Sequence, residues 1–184
     1  MKKVCFLFIL GTVLLPSCFS QNMIILGGEY NIFKPEFWGA GAGFNTKLFN
    51  EYIQNDLTVN FGGIRVKDAQ NDNTEPGGNP FKSVFYIKDN FYFSLDGKWL
   101  GLRAGIFASL GVYGIPKFPT VYDLFFNPGG FAGICILPKS QVSVTLDICP
   151  GYSAAFRLGE GMALNDSGFS LSLSLGIRFN IDKL

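Results

Sequence analysis

The residues able to do chemistry in this chain are few, and they are charged. Glu29, Arg103, Asp147 and Arg178 stand on the polar side of segments where apolar residues alternate with small or polar ones; Lys47 and Lys88 are further instances. A charge held in a narrow, low-dielectric interior must be paired. The chemistry expected of these residues is therefore ion pairing: Glu29 and Asp147 with Arg103, and Arg178 set apart from them, nearer one end of the fold. A network that fills and fixes the fold is expected over a conduction path.

Other chemistries lack their residues. The chain has no histidine, which excludes Ser-His and Cys-His catalysis and any histidine metal site. Gly39, Gly41 and Gly43 alternate strictly, so they read as small strand residues and not as a phosphate-binding loop. Asp68, Asp72 and Glu75 lack the ligand spacing of a calcium loop. No catalytic residue, cofactor or metal is expected.

The element that positions Arg178 is the clearest in the chain. From Phe169 to Ile181 the odd positions are Phe169, Leu171, Leu173, Leu175, Ile177, Phe179 and Ile181, and the even ones are serine, glycine, arginine or asparagine. A strand turns successive side chains to opposite faces, so one face is oily and the other small and polar. The run exceeds the ~9–11 residues a tilted strand needs to cross a bilayer. That pattern fits lipid on one side and a polar interior on the other.

Length and composition agree. The 184 residues are one domain's worth, and only 16% are charged, against about 25% in soluble domains. Residues 1–20 read as a signal peptide: Met1-Lys2-Lys3, an apolar run from Val4 to Leu15, then Ser17-Cys18-Phe19-Ser20. Cleavage is expected after Ser20, leaving residues 21–184 as the mature domain; acylation at Cys18 is the alternative. Loss of Lys2 and Lys3 turns 15 bases against 14 acids into a slight acidic excess, so no nucleic-acid partner is expected. An oily exported chain without a long apolar helix is left with the β-barrel as its way across a membrane.

Two turns test the idea. Asp96-Gly97 is a strong hairpin dipeptide. As a two-residue loop it places Phe93 opposite Leu100 and Phe91 opposite Leu102, oily face against oily face. With Pro138-Lys139-Ser140 as a three-residue loop, Ile136 meets Val142 and Ile134 meets Val144. In that register Cys135 faces Ser143, and Cys149 lies roughly 20 Å along the ladder, too far for a disulfide.

Earlier strands run from Met23 to Phe33, Phe37 to Lys47 and Asp56 to Val66, the last with a phase slip at Gly62-Gly63 suggesting a bulge. Residues 48–55 read either as a turn with a short helical stretch or as an extension of their neighbours. The fold expected is all-β: an eight-stranded antiparallel up-and-down transmembrane barrel. Long loops at 67–80, 114–120 and 157–167 should lie outside the cell, and tight turns at the other end.

A soluble lipid-binding barrel would turn the same alternation inside out. Against it, the non-oily faces carry Gly, Ser, Thr and Asn more than Lys and Glu, and aromatics gather at strand ends beside the long loops: Tyr30, Phe33, Phe37, Trp38, Phe81, Phe85, Tyr113, Tyr122, Phe126, Tyr152, Phe156 and Phe169. These resemble an interfacial girdle.

With strands, turns and leader together, the mature chain resembles the small eight-stranded outer-membrane barrels of the OmpA/OmpX/OmpW type. The resemblance is one of pattern. It implies residence in the bacterial outer membrane, outer-membrane lipid as surroundings, and a last strand (Leu171, Leu173, Leu175, Ile177, Phe179) read by the barrel-assembly machinery. Here five residues follow Phe179, where the family usually ends on the aromatic. It also implies a structural or surface-binding role with an extracellular ligand, or a narrow channel for small apolar solutes. The soluble periplasmic lipid-binding barrel is the third reading.

Overall fold

The computed structural model describes residues 21–33, 35–48, 52–65, 82–114, 123–157 and 163–181. Eight strands follow in chain order: β1 (Gln21–Asn31), β2 (Glu36–Leu48), β3 (Ile53–Arg65), β4 (Lys82–Asp96), β5 (Leu100–Gly114), β6 (Asp123–Ile136), β7 (Val142–Arg157) and β8 (Ala163–Asn180). Each pairs antiparallel with the next, and β8 returns to β1 to close the barrel. Closure leaves no continuous open edge, which lets a sheet stand in a medium that cannot hydrogen-bond its backbone.

The alternation sets which face is which. On β8, Leu173, Leu175 and Ile177 point outward at 41–55% exposure, while Ser170, Ser172 and Arg178 are buried inside. The same division runs round the barrel through Leu26, Phe61, Ile87, Leu102, Ile106 and Leu146 outside, and Asn45, Asp56, Arg103 and Asp147 inside. Soluble monomers rarely show an apolar surface of this extent. The protein is inverted, oily without and polar within, as a barrel solvated by lipid must be.

Both expected hairpin registers are corrected. Phe93 pairs with Ala104 and Phe91 with Ile106, so the first hairpin is four residues out of the Asp96-Gly97 register. The turn instead closes with the Gly97 amide donating to the Leu100 carbonyl (3.1 Å), and Trp99 stands 67% exposed. A two-residue loop would have put Trp99 on the interior face, opposite Ser94, and not out on the turn. In the second hairpin Ile136 meets Val144, a shift of two. Leu137 stays beside the neighbouring turn, its amide donating to Trp99 (2.8 Å), and the Ser140 amide then closes on Leu137 (3.0 Å). Cys135 consequently faces Thr145 and not Ser143. Cys135 and Cys149 are both free and buried.

Further expectations are adjusted. β3 pairs without a break on both sides through Gly62 and Gly63, so there is no bulge there. The apparent slip comes from Ile64, an apolar residue turned inward and fully buried. Thr46 to Leu48 pair with Ile53 to Asn55, so strands extend where a helical turn was the other option. The 157–167 loop is shorter than expected, because β7 runs through Arg157 and β8 starts at Ala163, with a register shift between Ala155 and Phe156. Residues 1–20, the 67–80 loop and nearly all of 114–120 lie outside the described residues.

Candidate functional site

The chemistry-bearing residues converge inside the barrel, because each occupies an inward position on its strand. β3 supplies Gln54 and Asp56, β4 Lys88 and Tyr92, β5 Arg103, β7 Asp147, β8 Arg178 and β1 Glu29. All are nine-tenths or more buried. They form two groups.

The larger group centres on Asp56. Its Oδ2 receives Arg103 Nη2 at 2.9 Å and also pairs with Arg178 Nη2. Its Oδ1 accepts from Asn45 Nδ2 (2.8 Å) and from the Tyr92 hydroxyl (3.0 Å). Arg178 Nη2 donates to the Tyr92 hydroxyl (2.8 Å), and the Arg103 guanidinium stacks 4.3 Å from the Tyr92 ring centre. Arg103 Nε reaches Asp147 Oδ1 at 3.2 Å. One carboxylate thus holds two arginines, and a second carboxylate takes part of one of them.

The smaller group is Glu29 with Lys88. Glu29 Oε1 also accepts from the Tyr86 hydroxyl at 2.8 Å, and Lys88 Nζ lies 4.8 Å from the Phe107 ring centre. The placement expected for Glu29 is therefore corrected: its cationic partner is Lys88, not Arg103. Glu29 on β1 pairs at the height of Ser174 on β8, whereas Arg178 lies further toward the turn end, so the lysine on β4 is the cation at its level. Arg178 is not a separate outlier but shares Asp56 with Arg103. Lys47, half-buried, lines the mouth at the turn end beside Asp96 and Lys139.

Asp56 is the residue that pattern reading missed. It is in phase with Thr58 and Asn60, but it opens the predicted strand, where a charge reads as a flank. The charges balance: Glu29, Asp56 and Asp147 against Lys88, Arg103 and Arg178. Removing such ions from water costs several kcal/mol each, and only pairing and further hydrogen bonds offset that cost.

Toward the loop end the interior turns aromatic. Phe37, Ile64, Val84, Tyr86, Tyr113, Phe125 and Ala155 form one buried cluster, with Phe37 and Phe125 rings 5.0 Å apart and Tyr86 5.8 Å from Phe125. Phe37 and Tyr113, expected in an outer girdle, are corrected to this interior plug, since both stand in phase with inward positions. Phe156 is half-buried. Tyr30, Phe33, Trp38, Phe85, Phe126, Tyr152 and Phe169 do face outward; Phe81 and Tyr122 lie outside the described residues. Among the described residues no cluster of metal-ligating side chains occurs.

No family model matches the chain, and no curated protein matches it. Among solved structures it is similar to Neisserial surface protein A, with a TM-score of 0.58 at 10% identity, covering 89% of this chain and 99% of that one. It is also similar to a major outer membrane protein from Thermus thermophilus (TM-score 0.43, 10% identity, 86% and 98% covered). A third likeness is to the N-terminal β-barrel domain of Pseudomonas aeruginosa OprF (TM-score 0.41, 12% identity, 86% and 98% covered). The first likeness is one of fold. With the closed eight-stranded ring and the oily exterior, the architecture is that of a small outer-membrane β-barrel.

Proposed function

We propose that this chain is a non-enzymatic integral protein of the bacterial outer membrane, a filled barrel that anchors surface loops for contact with a partner outside the cell. The observation that carries the reading is the inversion. Ile106 on the outside is 65% exposed, whereas Arg103, three residues earlier on the same strand, is 3% exposed and ion-paired. That arrangement suits lipid outside. Inside, buried ion pairs do not suit a stored lipid or an apolar solute, and the aromatic rings at the loop end are packed against one another.

The path to the membrane is part of the proposal. Residues 1–20 act as the leader, Gln21 becomes the first residue, and the outward row Leu171, Leu173, Leu175, Ile177 and Phe179 is the strand read by the barrel-assembly machinery.

Expression with the leader, followed by membrane fractionation, gel mobility with and without heating, and planar-bilayer recording tests this. Expected are an outer-membrane product starting at Gln21, a heat-dependent shift in mobility, and no steady current. A product soluble without detergent that binds fatty acid would overturn the membrane reading. Sustained conductance or uptake of small apolar solutes would replace the anchor with the narrow channel.

A further inference from the structure

Between the Glu29–Lys88 pair and the Arg103 group lies a small chamber, walled by Glu29, Lys88, Asn90, Arg103 and Asp147. The centre of a water molecule can range over about 40 Å³ there, a few times the roughly 10–15 Å³ that one water needs. That is far too little for an organic solute.

Several polar atoms on these walls have no hydrogen-bond partner in the protein. They are Arg103 Nε and Nη1, both donors, and Asn90 Oδ1 and Asp147 Oδ1, both acceptors. Asp147 Oδ1 has only its 3.2 Å ion pair with Arg103 Nε. Arg103 and Asp147 are 3% and 6% exposed, so bulk solvent does not serve them. A buried polar atom left unserved is costly, and native structures rarely tolerate several together.

The chemistry selects the occupant. Donors and acceptors face the same space, so the occupant must both accept and donate. The surrounding charges cancel: three carboxylates against Lys88, Arg103 and the adjoining Arg178. An anion would meet Asp147 and Glu29, and a cation would meet Arg103 and Lys88. Water alone answers all these demands.

We infer that the chamber is a binding site for ordered water, held between Arg103 and Asp147 and reaching Asn90. The water completes the arginine's hydrogen bonds and serves the open oxygens of Asp147 and Asn90.

The test uses the folded protein in lipid nanodiscs and in crystals. Magnetisation transfer from water to the Arg103 Nε proton should appear with the sign of a long-lived bound molecule, and the peak should vanish in Arg103→Lys. Diffraction should show water density within hydrogen-bonding distance of Arg103 and Asp147. Crystals soaked in bromide or rubidium should show no anomalous peak there. The Asn90→Leu variant, which fills the chamber from β4, should weaken the transfer at least several-fold. Absence of transfer and of density in the wild-type protein would overturn the site. An anomalous peak would make it an ion site instead. Undiminished transfer in a folded Asn90→Leu barrel would put the water elsewhere.

Discussion

Asp56 is the residue on which the interior depends most. Its two oxygens serve Arg103, Arg178, Asn45 and Tyr92, whereas Asp147 is 3.2 Å from one arginine nitrogen. Removing one member of a buried pair leaves an uncompensated charge and typically costs ~3–5 kcal/mol. Asp56→Asn strands two guanidinium groups and is expected at the upper end of that range. Asp147→Asn leaves Arg103 its partner at Asp56 and is expected to cost about 1.5–3 kcal/mol, in line with a single charged hydrogen bond. Reversible urea unfolding in lipid vesicles, followed by gel mobility, measures both; equal losses would deny Asp56 its central place. Arg103→Met provides a third point, since its loss frees Asp147 entirely and half-frees Asp56. That Glu29, Arg103, Asp147 and Arg178 turn inward is legible in the sequence, because the period of two fixes the face of each. Which acid meets which base is not legible, because it depends on the heights of strands that are distant in the chain.

Strands show the same limit in another form. Both hairpin registers read from turn residues are displaced, one by four and one by two, and both displacements are even. An even slip keeps every side chain on its face, so hydrophobic pattern cannot detect it; only the turn geometry can. In the β6–β7 connection that geometry hangs on Leu137, whose φ of 55° lies in the left-handed region. L-residues pay roughly 1–2 kcal/mol there, Asn less, and a β-branched residue most. Leu137→Asn is therefore expected to match or exceed wild-type stability, while the more apolar-conserving Leu137→Ile loses about 1–2 kcal/mol, an order opposite to hydrophobicity. Gly39 on β2 poses a different constraint. A Cβ there would fall inside the phenol of Tyr86, the ring whose hydroxyl holds Glu29. Gly39→Ala should cost about 2–4 kcal/mol, overpacking together with a lost charged hydrogen bond. Combining it with Tyr86→Leu should cost less than the sum of the two single changes, because both act through one contact. Strict additivity in the double-mutant cycle would show that the alanine is accommodated elsewhere.

For the whole molecule, the decisive property is which side faces the solvent and what that solvent is. A soluble barrel and a membrane barrel can share strand number, direction and alternation, and they differ in the sign of a surface substitution. Ile106 lies near the middle of β5 and faces outward at 65% exposure. In water, Ile106→Arg would be nearly neutral, as exposed substitutions generally are. In lipid, an arginine at the bilayer midplane of a barrel costs ~2–4 kcal/mol, falling to about 0–1 kcal/mol near the interface. Leu100, on the same face but at the turn end of the strand, supplies the internal control. The expected result is a steep loss for Ile106→Arg and a small one for Leu100→Arg, both read from urea unfolding in vesicles. The gradient matters more than either value, because a merely unstable variant would not grade with depth. A flat response at both positions would mean that the oily exterior never meets hydrocarbon, and the barrel would then have to cover that surface with another protein.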